Sequence, residues 1–251
     1  RYVHKAAAFL KKQVEAYGRN IGLAVNVEDM EKNRDQGKVS AVFTVEEGGV
    51  LNGDLERLDV LRDLGVCLIT LTWNYENCIG HPNSRSAKEM ALGLKPFGVQ
   101  VVERMNDLGM VVDVSHASDG TFWDVLKYSK RPVAASHSNC RALCGHPRNL
   151  SDEMIRALSE KGGVAGLNFY GLFLDGSRES RIDAMVEHIK HMIRVGGSDF
   201  PAVGTDFDGF DGMVSMEIPG ISQMDLLRDA LQKAGITEGQ IDKIWSGNVL
   251  R

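Results

Sequence analysis

Two histidines each close an apolar run, Gly109-Met-Val-Val-Asp-Val-Ser-His116 and Pro132-Val-Ala-Ala-Ser-His137. A neutral imidazole is a common metal ligand, and two of them repeated at the same place on neighbouring strands suggest a shared ion. Acidic groups leave two other apolar runs, as Glu46-Glu47-Gly48-Gly49 and as Gly204-Thr205-Asp206-Phe207-Asp208-Gly209. If the pleat persists, Glu46 and Glu47 point to opposite sides, so only one of them is the inward group; Glu47 is taken as that group. Arg148 follows His137 in a basic cluster with Arg141 and His146, and a guanidinium there suits a substrate carboxylate, which it can bind bidentately. Glu47, His116, His137 and Asp206 are therefore expected on one rim with Arg148 close by. One glutamate and two histidines suit zinc, and a free carboxylate suits the proton transfers of hydrolysis, so the chemistry indicated is metal-assisted hydrolysis.

These groups need elements that bring them to one edge. Between the two histidine runs, Gly120 to Lys130 has the apolar spacing of a helix, giving strand, helix, strand. The two strands of such a unit are parallel, and their carboxyl ends share the edge where α/β proteins carry their chemistry. Six strands are expected, starting near residues 38, 66, 110, 132, 163 and 201, each followed by helix. Helices are expected over 1–17, 27–36, 55–64, 99–108, 179–195, 223–234 and 238–245, with Lys95-Pro96-Phe97-Gly98 as a turn and Ser151 capping a further helix. A closed barrel of this type has eight strands, so either two lie upstream of the first residue or the sheet is open. His188 and His191 lie three apart on one helix, a metal-compatible spacing, but mid-helix on the outer layer. His81, beside Pro82, reads as loop geometry.

Composition narrows the class. The chain has 251 residues, 43% hydrophobic and 25% charged, enough for one barrel-sized domain. Its net charge is −5 and its basic residues are scattered, which sets nucleic acid aside. No apolar run approaches the ~20 residues of a membrane span. The four cysteines, Cys67, Cys78, Cys140 and Cys144, are too few and too irregular for a disulfide framework, and no second pair accompanies Cys140 and Cys144 at zinc-finger spacing. Reduced thiols and a cytoplasmic location are expected. The chain starts at Arg1 rather than Met and shows no signal peptide, so the natural amino terminus is expected upstream.

Several stretches together are more specific. Glu-Gly-Gly after a strand, Leu71-Thr72, Gly93-Leu94-Lys95-Pro96-Phe97-Gly98, Asp113-Val114-Ser115-His116, Ser136-His137-Ser138, Arg148-Asn149-Leu150, Gly204 to Gly209 and Gly247-Asn248-Val249-Leu250-Arg251 resemble the membrane (renal-type) dipeptidase family, peptidase family M19. The resemblance runs over essentially the whole chain. It implies a binuclear zinc (β/α)₈ barrel that hydrolyses dipeptides, including those with a D-residue on the carboxyl side, through a hydroxide bridging the metals. By position it makes Glu47 the bridging carboxylate, His116 and His137 ligands of the second zinc, Asp206 the acid/base, and Arg148 the receptor of the substrate's terminal carboxylate. The expected partner is thus a small dipeptide, with no nucleic acid and no membrane; a homodimer is allowed.

Two departures stand out. The family's first zinc is held by a His-x-Asp pair, and none of the seven histidines here is followed two residues later by Asp. The resemblance therefore implies a TIM-type (β/α)₈ barrel domain over 1–251 that lacks its first two strands and carries one zinc site's ligands. Trp73 stands where the mammalian members have a substrate-binding histidine; it can shape the pocket and donate one hydrogen bond but cannot become a cation. The alternatives are a metal-dependent hydrolase of lactones, cyclic amides or β-lactams, and a non-catalytic metal-binding remnant.

Overall fold

Apolar strands alternate with amphipathic helices in the computed structural model, which describes residues 2–251. The chain opens with α1 (Tyr2–Ala16), β1 (Ile21–Ala24), α2 (Val27–Asp35) and β2 (Val39–Glu46), which runs into a 3₁₀ turn at Gly48–Leu51. Next come α3 (Arg57–Asp63), β3 (Val66–Thr70), the short α4 (Ala87–Met90), α5 (Pro96–Asp107), β4 (Val111–Asp113), α6 (Asp119–Tyr128) and β5 (Ala134–Ala135). The remainder is α7 (Asp152–Glu160), β6 (Val164–Leu167), α8 (Gly171–Leu174), β7 (Glu179–Ser180), α9 (Ile182–Gly196), β8 (Pro201–Val203), β9 (Ser215–Met216), α10 (Asp225–Lys233) and α11 (Glu238–Asp242).

Seven strands form one parallel sheet in the order β1-β2-β3-β4-β5-β6-β8, with helices returning the chain between them, the connectivity of TIM-type barrels. The short β7 and β9 pair separately. The count corrects the expectation of six strands and of a sheet beginning near residue 38. The additional strand is β1, whose Ile-Gly-Leu-Ala is too short and too glycine-broken to carry a periodicity, yet it pairs with β2 from Ile21↔Val39 to Ala24↔Val42.

Local chemistry sets the helix starts. The Ser118 and Ser151 side chains accept from the backbone N–H groups of Thr121 and Met154, capping α6 and α7. α5 begins at Pro96, three residues before the expected Val99, because proline is preorganised for a first helical turn and the expected turn is that first turn. Gly98 within it lets the helix meet the Ile79 carbonyl, which any Cβ would strike. Val101, Val102 and Met105 of α5, Ile155 and Leu158 of α7, and Ile189 and Met192 of α9 are fully enclosed beside Ile69, Leu71 and Leu167 of the sheet side.

One row of the sheet prepares the site. Glu46, Thr70, Asp113 and Ala134 are successive register partners across β2, β3, β4 and β5, so their side chains leave the same face. Just beyond that row the Ser136 carbonyl is closed over by Gly166 and Gly204, where a Cβ on either would collide with it.

Candidate metal centre

Both histidines reach the site from the turns after their strands. His116 lies three residues past the end of β4 and adopts a left-handed conformation, φ 67°, while His137 lies two past β5. Such a φ is uncommon for a residue with a Cβ, and it aims the ring back across the sheet end. The two Nε2 atoms stand 3.0 Å apart. Oε1 of Glu46 lies 3.2 Å from Nε2 of His116 and 3.4 Å from Nε2 of His137. Among the described residues, these are the three His, Cys, Asp or Glu side chains whose ligand atoms gather closely enough for one ion.

The carboxylate that the structure brings to the histidines is that of Glu46, and it does not bring Glu47, expected there, to them. Glu46 continues the pleat of β2 and shares its face with Asp113. Glu47 turns away and accepts from Gly49 N at 2.6 Å, Trp73 N at 3.2 Å and Asn77 Nδ2 at 2.6 Å, tying the 3₁₀ turn to the loop after β3.

The hydrogen-bond network assigns both tautomers. Nδ1 of His116 contacts Oδ1 of Asn74 at 3.1 Å, so it carries the proton and donates. Nδ1 of His137 lies 2.7 Å from Ser136 Oγ, whose single proton goes to Asp113 Oδ2 at 2.6 Å, so here too Nδ1–H donates. In the neutral rings both Nε2 atoms then present lone pairs. Burial pushes the His116 imidazole down to about 4, against the pull of Glu46, so it is neutral at neutral pH. With both rings neutral, two nitrogen lone pairs and a carboxylate oxygen converge on one point. A divalent cation satisfies all three, and a His₂Glu set is what zinc accepts.

The cavity beside this cluster encloses about 590 Å³ and is lined by Glu46, Trp73, His116, Arg148, Phe173, Asp206 and Phe210, among others. Arg148 is buried, with its guanidinium 5.3 Å above the Phe173 ring. Its Nη2 reaches the His137 carbonyl at 3.5 Å, while Nε and Nη1 have no partner. Burial lowers its pKa to about 10, opposed by Asp113, Asp206 and Glu46, so it remains a cation with unused donors, fitted to an anion. Asp206, past β8, is also left-handed, φ 60°, and its Oδ2 accepts from Asn168 Nδ2 at 3.0 Å, leaving Oδ1 free. Trp73 is 39% exposed on the cavity wall, its ring 6.3 Å from that of His116.

Other histidines do structural work. On α9, His188 accepts from Cys140 N at 3.1 Å and donates to the Leu174 carbonyl at 2.7 Å, and His191 donates to Asp152 at 2.7 Å. His81 Nδ1 contacts the Gly93 carbonyl at 2.9 Å. Asn74, Asn168, Asp113 and Ser136 were not singled out from the sequence. The last two lie inside motifs quoted for their histidines, and the polar residues immediately before each histidine were the available signal.

A parallel α/β sheet with a His, His, Glu cluster at its carboxyl edge defines a metal-binding hydrolase scaffold. The family model of the membrane dipeptidases, peptidase family M19, matches residues 4–251, and the chain belongs to that family of metallo-dipeptidases. An uncharacterized protein of Klebsiella pneumoniae is 32% identical over 97% of this chain and 92% of its own length. An uncharacterized dipeptidase of Schizosaccharomyces pombe is 35% identical over 87% of this chain, which spans 53% of that protein. A Rhodobacter sphaeroides metallopeptidase, solved with a phosphinate mimic of the dipeptide L-Ala-D-Ala, superposes with a TM-score of 0.90 at 26% identity, covering 98% of this chain and 71% of that one. Among the described residues, no helix is long and apolar enough to cross a membrane.

Proposed function

We propose that this protein is a zinc-dependent dipeptidase built on a (β/α)₈ barrel, with Glu46, His116 and His137 as metal ligands, Asp206 as general acid/base and Arg148 as receptor of the substrate's terminal carboxylate. The observation that carries the reading is the meeting of three ligand atoms beside a cavity lined by a buried arginine with unused donors. Zinc held by Glu46, His116 and His137 would supply Lewis acidity toward the scissile carbonyl and toward water.

The chain's own residues supply the rest. Arg148 binds the free carboxylate, which fixes the scissile bond relative to the histidine pair. Asp206 Oδ1 takes the proton of the attacking water and returns it to the leaving amine, while Asn168 holds Oδ2 and with it the plane of the carboxylate. Trp73 stands on the wall of the same cavity and shapes it. The likeness to a metallopeptidase bound to an L-Ala-D-Ala mimic supports including dipeptides with a carboxyl-terminal D-residue.

A panel of L,L and L,D dipeptides, each as free acid and as amide, assayed with zinc and after chelation, tests the proposal. Hydrolysis that needs both the metal and the free carboxylate is expected. No turnover of any free-acid dipeptide by the zinc-loaded protein, or equal turnover of the amides, sinks it.

A further inference from the structure

His137 is backed by a buried anion that does not itself reach the cavity. Asp113 ends β4 with no exposed surface, and its carboxylate accepts four hydrogen bonds. Oδ1 takes the backbone N–H groups of Ser115 at 3.0 Å and Ser136 at 2.8 Å; Oδ2 takes the hydroxyls of Thr70 and Ser136, each at 2.6 Å. One carboxylate therefore clasps the ends of β3, β4 and β5 and fixes the backbone just ahead of each histidine. None of its four donors is a cation, although unpaired buried charges are costly. The Arg148 guanidinium, farther off, is the cation that feels this carboxylate.

We infer that Asp113 and Ser136 are positioning residues, which act through Nδ1 of His137 to fix its tautomer and hold its Nε2 lone pair toward the metal. Proton counting carries the inference. The carboxylate only accepts, so the Ser136 hydroxyl must donate to it and can only accept from His137, 2.7 Å away. That forces the Nδ1–H tautomer. His116 is held differently, by the neutral amide oxygen of Asn74. The centre is thus asymmetric: one histidine feels a relayed negative charge and the other a dipole. Partners of this kind orient ligating histidines and raise their basicity, and their loss typically weakens metal binding about 10- to 100-fold.

The inference deepens the metal-centre reading, and its test uses no substrate, so failure of peptide hydrolysis leaves it standing. Nitrogen-15 spectra of the metal-free protein report the tautomer of His137, and competition with a chromophoric chelator reports zinc affinity. The parent is expected to show Nδ1–H. In Ser136→Ala a population with Nε2–H appears and zinc affinity falls about tenfold or more, and Ser136→Thr, which keeps the hydroxyl, restores both. Asp113→Asn, measured in the folded fraction, weakens zinc with Ser136 intact. An unchanged tautomer and unchanged affinity in Ser136→Ala, or a loss that Ser136→Thr does not repair, overturns the inference.

Discussion

Nε2 of His116 lies 3.0 Å from Nε2 of His137, and a single oxygen of Glu46 faces both. With both rings neutral in the Nδ1–H form, three acceptors face one another, an arrangement that a cation among them relieves. Glu46→Gln replaces an anionic ligand by a neutral one and is expected to weaken zinc binding by at least tenfold. Glu47→Gln is expected to leave zinc affinity within about twofold while lowering stability by roughly 1–3 kcal/mol, because its carboxylate holds three donors of the neighbouring turn. Zinc titration and urea denaturation of both variants decide between the adjacent glutamates, and the reverse pattern would exchange their roles.

Asp206 lines the cavity and combines a left-handed backbone, one oxygen held by Asn168 and one without a hydrogen bond. Strain of this kind persists where the surroundings impose it, and it fits a group that must keep one orientation through two proton transfers. Asp206→Asn is expected to abolish dipeptide hydrolysis with zinc content near the parent's. Asn168→Ala frees the carboxylate to rotate and should lower kcat more than it raises KM. Turnover retained by Asp206→Asn removes that residue from the mechanism.

The parts of this architecture that were legible in the sequence are those written locally. His116 and His137 each close an apolar run, and a helix-spaced segment between them makes their strands parallel, so their shared edge follows from the connection alone. The choice between Glu46 and Glu47 is not local. It depends on which residue continues the row through Thr70 and Asp113, and that register is set by pairing with strands 24 and 67 residues further on. β1 was missed for a related reason, since four residues with a glycine among them become a strand only through β2. The αL conformations of His116 and Asp206 left no trace either, for neither is glycine and neither lies in a two-residue hairpin.

Arg148 is the cation with unused donors on the cavity wall, and its worth should depend on the substrate's charge. Arg148→Ala is expected to lower kcat/KM for free-acid dipeptides on the order of 10²-fold, mostly through KM, and to change little for any amidated substrate. Arg148→Lys keeps the charge but not the planar fork, so it should recover only part of the loss. Equal losses on acid and amide would assign Arg148 to the architecture of the cavity rather than to recognition.

The last prediction concerns acid stability and rests on a histidine away from the metal centre. His188 is buried, its Nδ1 accepts from Cys140 N and its Nε2–H donates to the Leu174 carbonyl, so both nitrogens are committed in the neutral form. A proton added at Nδ1 has to displace the Cys140 bond and charge a buried ring. Burial accordingly lowers its pKa below the ordinary 6.5, opposed by the Leu174 carbonyl. Above pH 6.5 both folded and unfolded forms are neutral and the group adds no pH dependence. Below it the unfolded chain takes up a proton that the folded form refuses, so stability falls as pH drops from 6.5 toward the lowered folded value. The urea midpoint should therefore decrease between pH 7.5 and pH 5. His188→Gln should cost about 1–3 kcal/mol at pH 7.5, because one of two buried partners loses its bond, and should show a shallower decline with acid than the parent. A decline as steep in His188→Gln as in the parent would trace the acid sensitivity to other imidazoles, of which buried His116 and half-buried His146, both pushed down to about 4 by burial, are the next to substitute.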